Sequence, residues 1–383
     1  MMSKKLPSNM LNQVTLSQFK FQKDAADRWQ DQKEKIGRFK LNFPNLSDSF
    51  APDWVMLSTA LGNLSAFEEN RGGHSVNTLK MLAFVIRKWD QYCKSESLYS
   101  FPINESVLLN WFKLLKLEFN VKINTLKQYR AQISLFHKIM GVEDVTKSPT
   151  IMSFFKSLLK DEMELTGSQV IELQAKPFRK HHLNRLKTIW NDENNAIPFR
   201  DLTVLTVAYG TLLREGEIGR IRKKHIKMLK NGDINIERVT SKTSISPEPK
   251  RLTGKFSDIL KRYIDTYCQT LDEDDYIFCW LTTRGARPVA YRQTPMSGMT
   301  IDRIYQRAHK KLIELDEVSP LRIAHRNMWS GHSSRVGALQ DGYAAGLSLT
   351  QLIQLGDWKS NEMVLRYLRG LSNEHSPNLL LQT

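Results

Sequence analysis

The chain has 383 residues, of which 41% are hydrophobic and 25% charged, a composition typical of a soluble globular protein with two or three domains. Its 56 lysines and arginines outnumber 40 aspartates and glutamates, which leaves a formal net charge of +16 and a pI near 9.6. This excess predicts a polyanionic partner, either a nucleic acid or an acidic membrane surface. Nothing approaches the run of about 18 apolar residues that spans a bilayer, so we expect no membrane segment.

Three cysteines, Cys93, Cys268 and Cys279, are widely spaced and belong to no Cys-xx-Cys or Cys/His cluster. This spacing argues against a zinc site and a disulfide framework, and we expect reduced, partly buried thiols in a cytosolic protein. Lys4 and Lys5 precede no apolar run, so the N-terminus does not resemble a secretory signal. Without a Walker A motif or a metal-ligand constellation, the sequence predicts neither a metal nor a cofactor.

Helical periodicity dominates the first half of the chain. Residues 1–54 are polar with weak periodicity, which predicts a loosely ordered N-terminal extension. Residues 55–163 are predicted to form an all-helical domain, because apolar side chains recur there at three- and four-residue steps. Its predicted helices cover residues 75–94, 105–118, 124–139 and 151–160. Residues 164–176 have little apolar order, and we expect them to link this domain to a second one at 177–383.

The helices of the first domain carry cations and amides among their apolar positions. Lysine and arginine are suited to phosphates, whereas asparagine and glutamine are suited to base edges in the major groove. An ordinary solvated helix face accounts for any single one of these side chains equally well. The candidate DNA-binding residues are Lys80, Arg87, Asn124, Thr125, Lys127, Gln128 and Gln132.

The second domain combines helices with a short stretch of strands. Its predicted helices cover residues 180–192, 198–213, 257–268, 300–314 and 349–355. Helix 198–213 is apolar on nearly every face, so we expect it to be buried. The strand signals are the Asn231-Gly232 turn, the alternating Ile234, Ile236 and Val239, the returning Arg251-Leu252 and the strand-like piece 276–278. We expect a loop at 284–297.

Arg214 and Glu217 follow directly after the buried helix. Burial of that helix brings the guanidinium of Arg214 toward a medium of low dielectric constant, where it needs an anion nearby. Glu217 is the candidate carboxylate, and a DNA phosphate is the candidate functional anion.

Four residues of the C-terminal region complete a possible anion site. His332 and Arg335 are three apart, a spacing that puts two hydrogen-bond donors on one helix face. Trp358 and Tyr367 are nine apart, which would leave them on opposite faces of one continuous helix. Ser360 is a good N-cap, so we expect a break after Trp358 with Tyr367 on the next helix.

These side chains fit the chemistry of one phosphodiester. The surrounding set is Arg214, Lys242, His332, Arg335 and Trp358. Cations and N–H donors neutralise charge that grows on the non-bridging oxygens in the transition state. Tyr367 is suited to in-line attack, His332 to accepting its proton and Lys242 to protonating the leaving alcohol. A phosphotyrosine retains the energy of the phosphodiester, so religation would need neither ATP nor a metal.

With these motifs in view, the chain resembles the tyrosine recombinase (phage integrase) family over roughly residues 70 to 375. The matching segments are 211–222 (TLLREGEIGRIR), 331–338 (GHSSRVGA), Gly356-Asp-Trp358 with Tyr367, and 77–82 with Trp89 and Cys93. The resemblance implies a mainly α fold with a small β-sheet in the C-terminal domain. It also implies a two-domain DNA clamp, made of an all-helical core-binding domain and a catalytic domain.

The resemblance further implies a site-specific recombinase that works through a 3′-phosphotyrosine and a Holliday junction. Its motifs assign Tyr367 as nucleophile and Glu217 as a supporting carboxylate, with the five residues around the phosphodiester as the activating set. Lys242 has a rival in Lys250, because hairpin length varies in the family.

The family scheme also gives the expected partners. These are double-stranded DNA with a specific, inverted-repeat site and three further copies of the chain in a tetramer on that DNA, the free protein being monomeric or weakly associated. The expected location is the cytoplasm of a bacterial host, on phage, plasmid or chromosomal DNA. The leader is longer and the tail shorter than the family pattern, although Leu379 to Leu381 could still dock in a neighbouring subunit.

Three other interpretations stay open at this point. A relaxing topoisomerase or hairpin-forming resolvase would use the same residues, and a requirement for two matched DNA sites would separate it from a recombinase. A DNA-binding regulator would have no need for Tyr367. An RNA- or membrane-binding protein would need an aromatic RNA-binding motif or a basic amphipathic helix, and neither is evident.

Overall fold

The computed structural model describes residues 59–60, 62–64, 66–67, 74–166, 174–237, 248–315 and 328–368. The chain divides into two compact units, residues 1–172 and 173–383. The predicted extension at 1–54, Lys242 with most of its hairpin, and the tail beyond 368 lie outside the described residues.

The first unit contains the four predicted helices. They are α1 (Val76–Ser95), α2 (Glu105–Leu117), α3 (Ile123–Met140) and α4 (Pro149–Thr166). Helix α1 begins where the Ser75 hydroxyl accepts a hydrogen bond from the Thr78 amide at 3.2 Å. Helix α3 ends at Gly141, whose left-handed conformation (φ 72°) is the usual helix stop. Helix α4 runs to Thr166, so its last turn enters the segment that we expected to be a linker.

Aromatic side chains fill the core of the first unit. Trp89 and Trp111 meet edge to face with ring centroids 5.4 Å apart, and both are almost completely buried. The Trp89 indole donates a hydrogen bond to the Ser100 carbonyl at 2.7 Å, so this buried polar group has a partner. Burial of these apolar stripes leaves the polar faces of α1 and α3 on the surface.

The second unit is mainly helical around a three-stranded antiparallel sheet in the order β1-β2-β3. The strands are β1 (Ile226–Met228), β2 (Ile234–Ile236) and β3 (Lys250–Leu252). The helices are α5 (Lys180–Trp190), α6 (Ala196–Thr211), α7 (Glu215–Ile218), α8 (Lys255–Tyr267), α9 (Val289–Arg292), α10 (Gly298–Glu314), α11 (Ser333–Ala344), α12 (Leu349–Gly356) and α13 (Asn361–Leu368). The predicted fold class, mainly helical with a small sheet, is confirmed for the described residues.

Helix α6 forms the centre of this unit. It is buried along nearly its whole length, as its apolar sequence predicts, and it packs against α5, α8 and α11. The helix ends at Thr211, where Leu212 takes a left-handed conformation (φ 53°) and turns the chain. A branched side chain rarely adopts this conformation, which is held here by the packing of the core. The turn brings Arg214 to the start of α7.

Two local predictions were wrong. Residues 276–278 are not a strand, because Tyr276 forms only an isolated antiparallel bridge with Arg222, and the residues that Ile277 and Phe278 would face lie directly after α7 and form no strand. The predicted loop at 284–297 contains the one-turn helix α9, which follows Pro288. All three cysteines are free and buried, as expected for reduced thiols.

Candidate active site

Arg214 is fixed by Glu217 at the start of α7. The Arg214 amide donates to Glu217 Oε2 at 2.9 Å, and its Nη1 donates to Oε1 at 3.4 Å. The predicted pairing of the two residues is therefore observed. Glu217 holds the backbone and the side chain of Arg214 together, which reduces the freedom of the guanidinium.

Arg335 lies on α11 and is only 2% exposed. Its guanidinium donates to the Gly356 carbonyl at 2.8 Å and to the Leu212 carbonyl, and it stacks 4.7 Å from the ring of Trp358. Burial first, and then the positive charge of Arg214, lower the pKa of Arg335 to about 10. Its Nε is buried and has no hydrogen-bond partner in the described part of the chain. The site therefore concentrates positive charge and leaves a donor available.

Trp358 is positioned by the turn between α12 and α13. Gly356 allows the indole to lie against the backbone, because a Cβ there would be 1.9 Å from the Trp358 ring. Asp357 has a left-handed conformation (φ 51°) and ends α12, and residues 358–360 are not helical, so the break predicted after Trp358 is observed, with Tyr367 on α13. The indole Nε1 is buried without an acceptor among the described residues. It is a second donor available to an anion.

Tyr367 meets His332 directly. The phenol oxygen and His332 Nε2 are 2.5 Å apart, and the Tyr367 ring also lies 5.5 Å from that of Trp358. Burial, followed by the charges of Arg335 and Arg214, lowers the pKa of His332 to about 4. The imidazole is therefore neutral at pH 7, and its Nε2 can accept the phenol proton.

Two amides hold the backbone of Tyr367. Gln340 Nε2 and Gln174 Nε2 donate to its carbonyl at 3.0 and 3.1 Å. Neither these two glutamines nor the carbonyls of Leu212 and Gly356 were predicted from the sequence. No motif marks a glutamine as a backbone support, and a carbonyl's direction depends on the fold.

Six of the predicted site residues converge in this unit. They are Arg214, Glu217, His332, Arg335, Trp358 and Tyr367. Lys242 lies outside the described residues. Its rival Lys250, on β3, binds Asp357 Oδ2 at 3.0 Å and the Leu355 carbonyl at 2.9 Å, next to the Trp358 turn.

The candidate DNA-binding residues lie on two helices of the first unit. On α1, Lys80 and Arg87 are exposed and two turns apart, so they share a face. On α3, Asn124, Lys127 and Gln128 are exposed at three- and four-residue spacing. Thr125 and Gln132, also on α3, are partly buried.

The described residues offer neither a metal-binding cluster nor a membrane-spanning helix. Across the described ranges, no group of three or more His, Cys, Asp or Glu side chains is arranged to hold a metal ion. No helix within those same ranges has the length and apolar character needed to cross a membrane.

The chain is similar in sequence to proteins of one known family. The profile of the phage integrase family matches residues 176–374. The recombinase Cre of Escherichia phage P1 is 28% identical over 315 residues, which cover 82% of this chain and 89% of Cre.

Solved structures also share the fold. The XerH site-specific recombinase, bound to a palindromic difH substrate, aligns with a TM-score of 0.53 and 13% identity over 98% of both chains. The Tn1549 transposon integrase, in complex with transposon right-end DNA, aligns with a TM-score of 0.53 and 15% identity over 81% of this chain and 94% of its own. On the strength of the profile match, which covers more than half of its length, the chain belongs to the phage integrase family, the tyrosine recombinases.

Proposed function

We propose that this protein is a site-specific DNA recombinase that cleaves and rejoins DNA through a 3′-phosphotyrosine at Tyr367. One observation carries the proposal: the Tyr367 hydroxyl lies 2.5 Å from His332 Nε2, which is neutral at pH 7, beside the buried guanidinium of Arg335. A nucleophile, a base and a cation thus meet in one site, as phosphoryl transfer requires.

In the proposed reaction, the Tyr367 oxygen attacks the scissile phosphorus while His332 takes the phenol proton. The bond from phosphorus to the 5′-oxygen breaks, and Lys242 is the proposed donor of the proton that this oxygen needs. Arg335, Arg214 and the Trp358 indole stabilise the growing negative charge on the non-bridging oxygens. Attack of a 5′-hydroxyl on the phosphotyrosine reverses these steps. One phosphorus–oxygen bond forms for each one broken, so neither ATP nor a metal is needed.

The first unit is proposed to be the core-binding domain, and the two units together to close as a clamp on double-stranded DNA. The exposed lysine, arginine and amide side chains on α1 and α3 support this proposal, together with the net charge of +16. We further propose an inverted-repeat target, a tetramer on DNA and strand exchange through a Holliday junction, as the resemblance to the tyrosine recombinase family implies.

Covalent capture tests the chemistry. The protein is incubated in EDTA without ATP, with nicked duplexes selected from a random library, and any DNA-linked peptide is mapped. We expect a phosphotyrosine at Tyr367, none in Tyr367→Phe, and an unchanged yield in Tyr343→Phe, whose ring is exposed on α11. A Tyr367→Phe protein that still forms the adduct would remove Tyr367 as the nucleophile.

Strand exchange separates a recombinase from a relaxing topoisomerase. Two copies of the selected site on linear DNA should yield recombinant products with the wild-type protein. Relaxation of plasmids without the site, with no recombinants from paired sites, would favour the topoisomerase interpretation.

A further inference from the structure

The turn that carries Trp358 is held from two directions. From one side, Arg335 donates to the Gly356 carbonyl at 2.8 Å. From the other side, Lys250 Nζ reaches the Leu355 carbonyl at 2.9 Å and the Asp357 carboxylate at 3.0 Å. Three successive residues before Trp358 are therefore bound by two cations.

The backbone conformation at position 357 restricts the residue type there, and the residue present supplies a carboxylate to Lys250. Asp357 has φ 51°, a left-handed conformation in which glycine, asparagine and aspartate are the usual residues. The side chains of Lys250 and Asp357 are 14% and 30% exposed, so this ion pair is partly shielded from water. Lys250 is the first residue of β3, which ties the turn to the sheet.

We propose that Lys250 is a positioning residue, which acts through Asp357 to hold the Trp358 indole and the Arg335 guanidinium toward the scissile phosphate. The inference rests on the proposed function and adds a role for a residue that would otherwise rival Lys242 as proton donor. If Lys250 gave up its proton, the Asp357 carboxylate would lose its counter-charge. The contacts of Lys250 therefore suit it to holding the Trp358 turn in place and not to donating a proton.

Loss of the contact between Lys250 and Asp357 should slow cleavage without weakening DNA binding. Misplacement of catalytic groups by about 1 Å can cost about 100-fold in rate. We expect Lys250→Met to cleave about 10- to 100-fold more slowly with DNA affinity within about twofold of wild type. Lys250→Arg, which can keep the pair, should retain most of the activity.

Arg251 provides a matched control on the same strand. It forms its own ion pair with Asp233 at 2.6 Å and is exposed. Arg251→Met removes one cation and one ion pair next to Lys250 without touching the turn, so cleavage should stay at the wild-type rate. An equal loss in Arg251→Met and Lys250→Met would overturn the inference, because any disturbance of β3 would then suffice.

A sulfur leaving group separates positioning from proton donation. In a 5′-bridging phosphorothiolate, the bond from phosphorus to sulfur breaks and the thiolate departs without a proton. The Lys250→Met defect should persist on this substrate, because the indole and guanidinium are still misplaced, whereas a defect in Lys242→Ala should largely disappear. Rescue of Lys250→Met by sulfur would make Lys250 the proton donor and overturn the inference.

Asp357, the ion-pair partner of Lys250, allows the same contact to be removed without changing β3. Asp357→Asn and Asp357→Gly both tolerate the left-handed conformation but remove the carboxylate. Each should reproduce the Lys250→Met defect, and the double variants should be no slower than the single ones. If the rate loss in a double variant equalled the product of the two single-variant losses, the inference would be overturned.

The wild-type reaction distinguishes this inference from the function on which it rests. If the wild-type protein forms no adduct at Tyr367 on either substrate, the proposed function fails and takes the inference with it. If the wild type cleaves and Lys250→Met matches its rate, only the inference fails.

Discussion

Two buried arginines in the same unit have very different surroundings. Arg200, on α6, is 4% exposed and donates to Asp201 Oδ1 at 2.7 and 3.0 Å, while Arg307 binds the other oxygen of the same carboxylate. Arg335 is 2% exposed, but within the described residues no carboxylate lies at ion-pair distance from it. It is held by the carbonyls of Leu212 and Gly356 and lies near a second cation, Arg214.

This difference distinguishes a structural charge from a functional one. A buried cation is costly unless an anion compensates it, and Arg200 has that anion inside the protein. Carbonyl dipoles fix the direction of Arg335, and the carboxylates of Glu217 and Asp357 act on it only from beyond ion-pair distance, so its charge is compensated only in part. The site is thus electrostatically complete only when an anion such as a phosphodiester enters it.

The largest expected effect concerns catalysis by Arg335. Arg335→Met should reduce single-turnover cleavage by about 10³- to 10⁵-fold, the range for an arginine that stabilises phosphoryl transfer. The free energy of unfolding should change little, because the substitution also removes repulsion with Arg214. Chemical denaturation and rapid-quench cleavage measure the two effects. A large loss of stability with a small loss of rate would reverse our assignment of the two arginines.

Arg200→Met is the matched substitution at the compensated site. We expect it to lower the free energy of unfolding by about 3 kcal/mol, toward the lower end for breaking a buried ion pair, because Arg307 still binds Asp201. Folded Arg200→Met protein should cleave at close to the wild-type rate. Denaturant titration followed by cleavage assays below the transition tests both expectations, and a severe catalytic defect in fully folded protein would contradict them.

The third expected effect is a change in the protonation of His332. Nitrogen-detected NMR of the free protein should give His332 a pKa of about 4, below its ordinary value of 6.5. Arg335→Met should raise that pKa, but only part of the way, because burial is the larger cause. The unfolded chain binds the proton first, so His332 reduces stability as the pH falls from about 6.5 toward 4. An unchanged pKa in Arg335→Met would show that the arginine does not act electrostatically on this base.

The smallest expected effect comes from the exposed cations of the first unit. Lys127→Ala, on α3, should weaken DNA binding about equally for all sequences and reduce the slope of log K against log salt by about 1. The cleavage rate at saturating protein should not change. Lys160→Ala is the control, because that exposed side chain on α4 pairs with Glu164 at 3.6 Å and is not among the candidate DNA-binding residues. Equal slopes for Lys127→Ala and wild type would exclude Lys127 from phosphate contact.

Side-chain chemistry and periodicity predicted much of this site. The buried helix placed Arg214 beside Glu217, and the nine-residue spacing from Trp358 to Tyr367 required a break that the non-helical residues 358–360 provide. What escaped prediction is the backbone support of Arg335. It depends on a leucine in a left-handed conformation and on the carbonyl of the last residue of α12, and neither has a side-chain signature.

Contacts between distant parts of the chain were equally hidden. The bond from Lys250 to Asp357 joins residues far apart in sequence, so only the folded structure reveals it. The strand prediction at 276–278 failed for a related reason, since alternation cannot tell whether a partner strand continues beyond Tyr276.

A neutral scissile phosphate tests most directly whether Arg335 works by compensating phosphate charge. A methylphosphonate replaces one charged non-bridging oxygen with a methyl group on the phosphorus that Tyr367 attacks. Because its transition state carries less negative charge, Arg335→Met should recover cleavage on the methylphosphonate, whereas Tyr367→Phe should stay inactive on both substrates. If Arg335→Met is as impaired on the methylphosphonate as on the phosphodiester, the buried charge of Arg335 does not serve the phosphate, and our account of the site is contradicted.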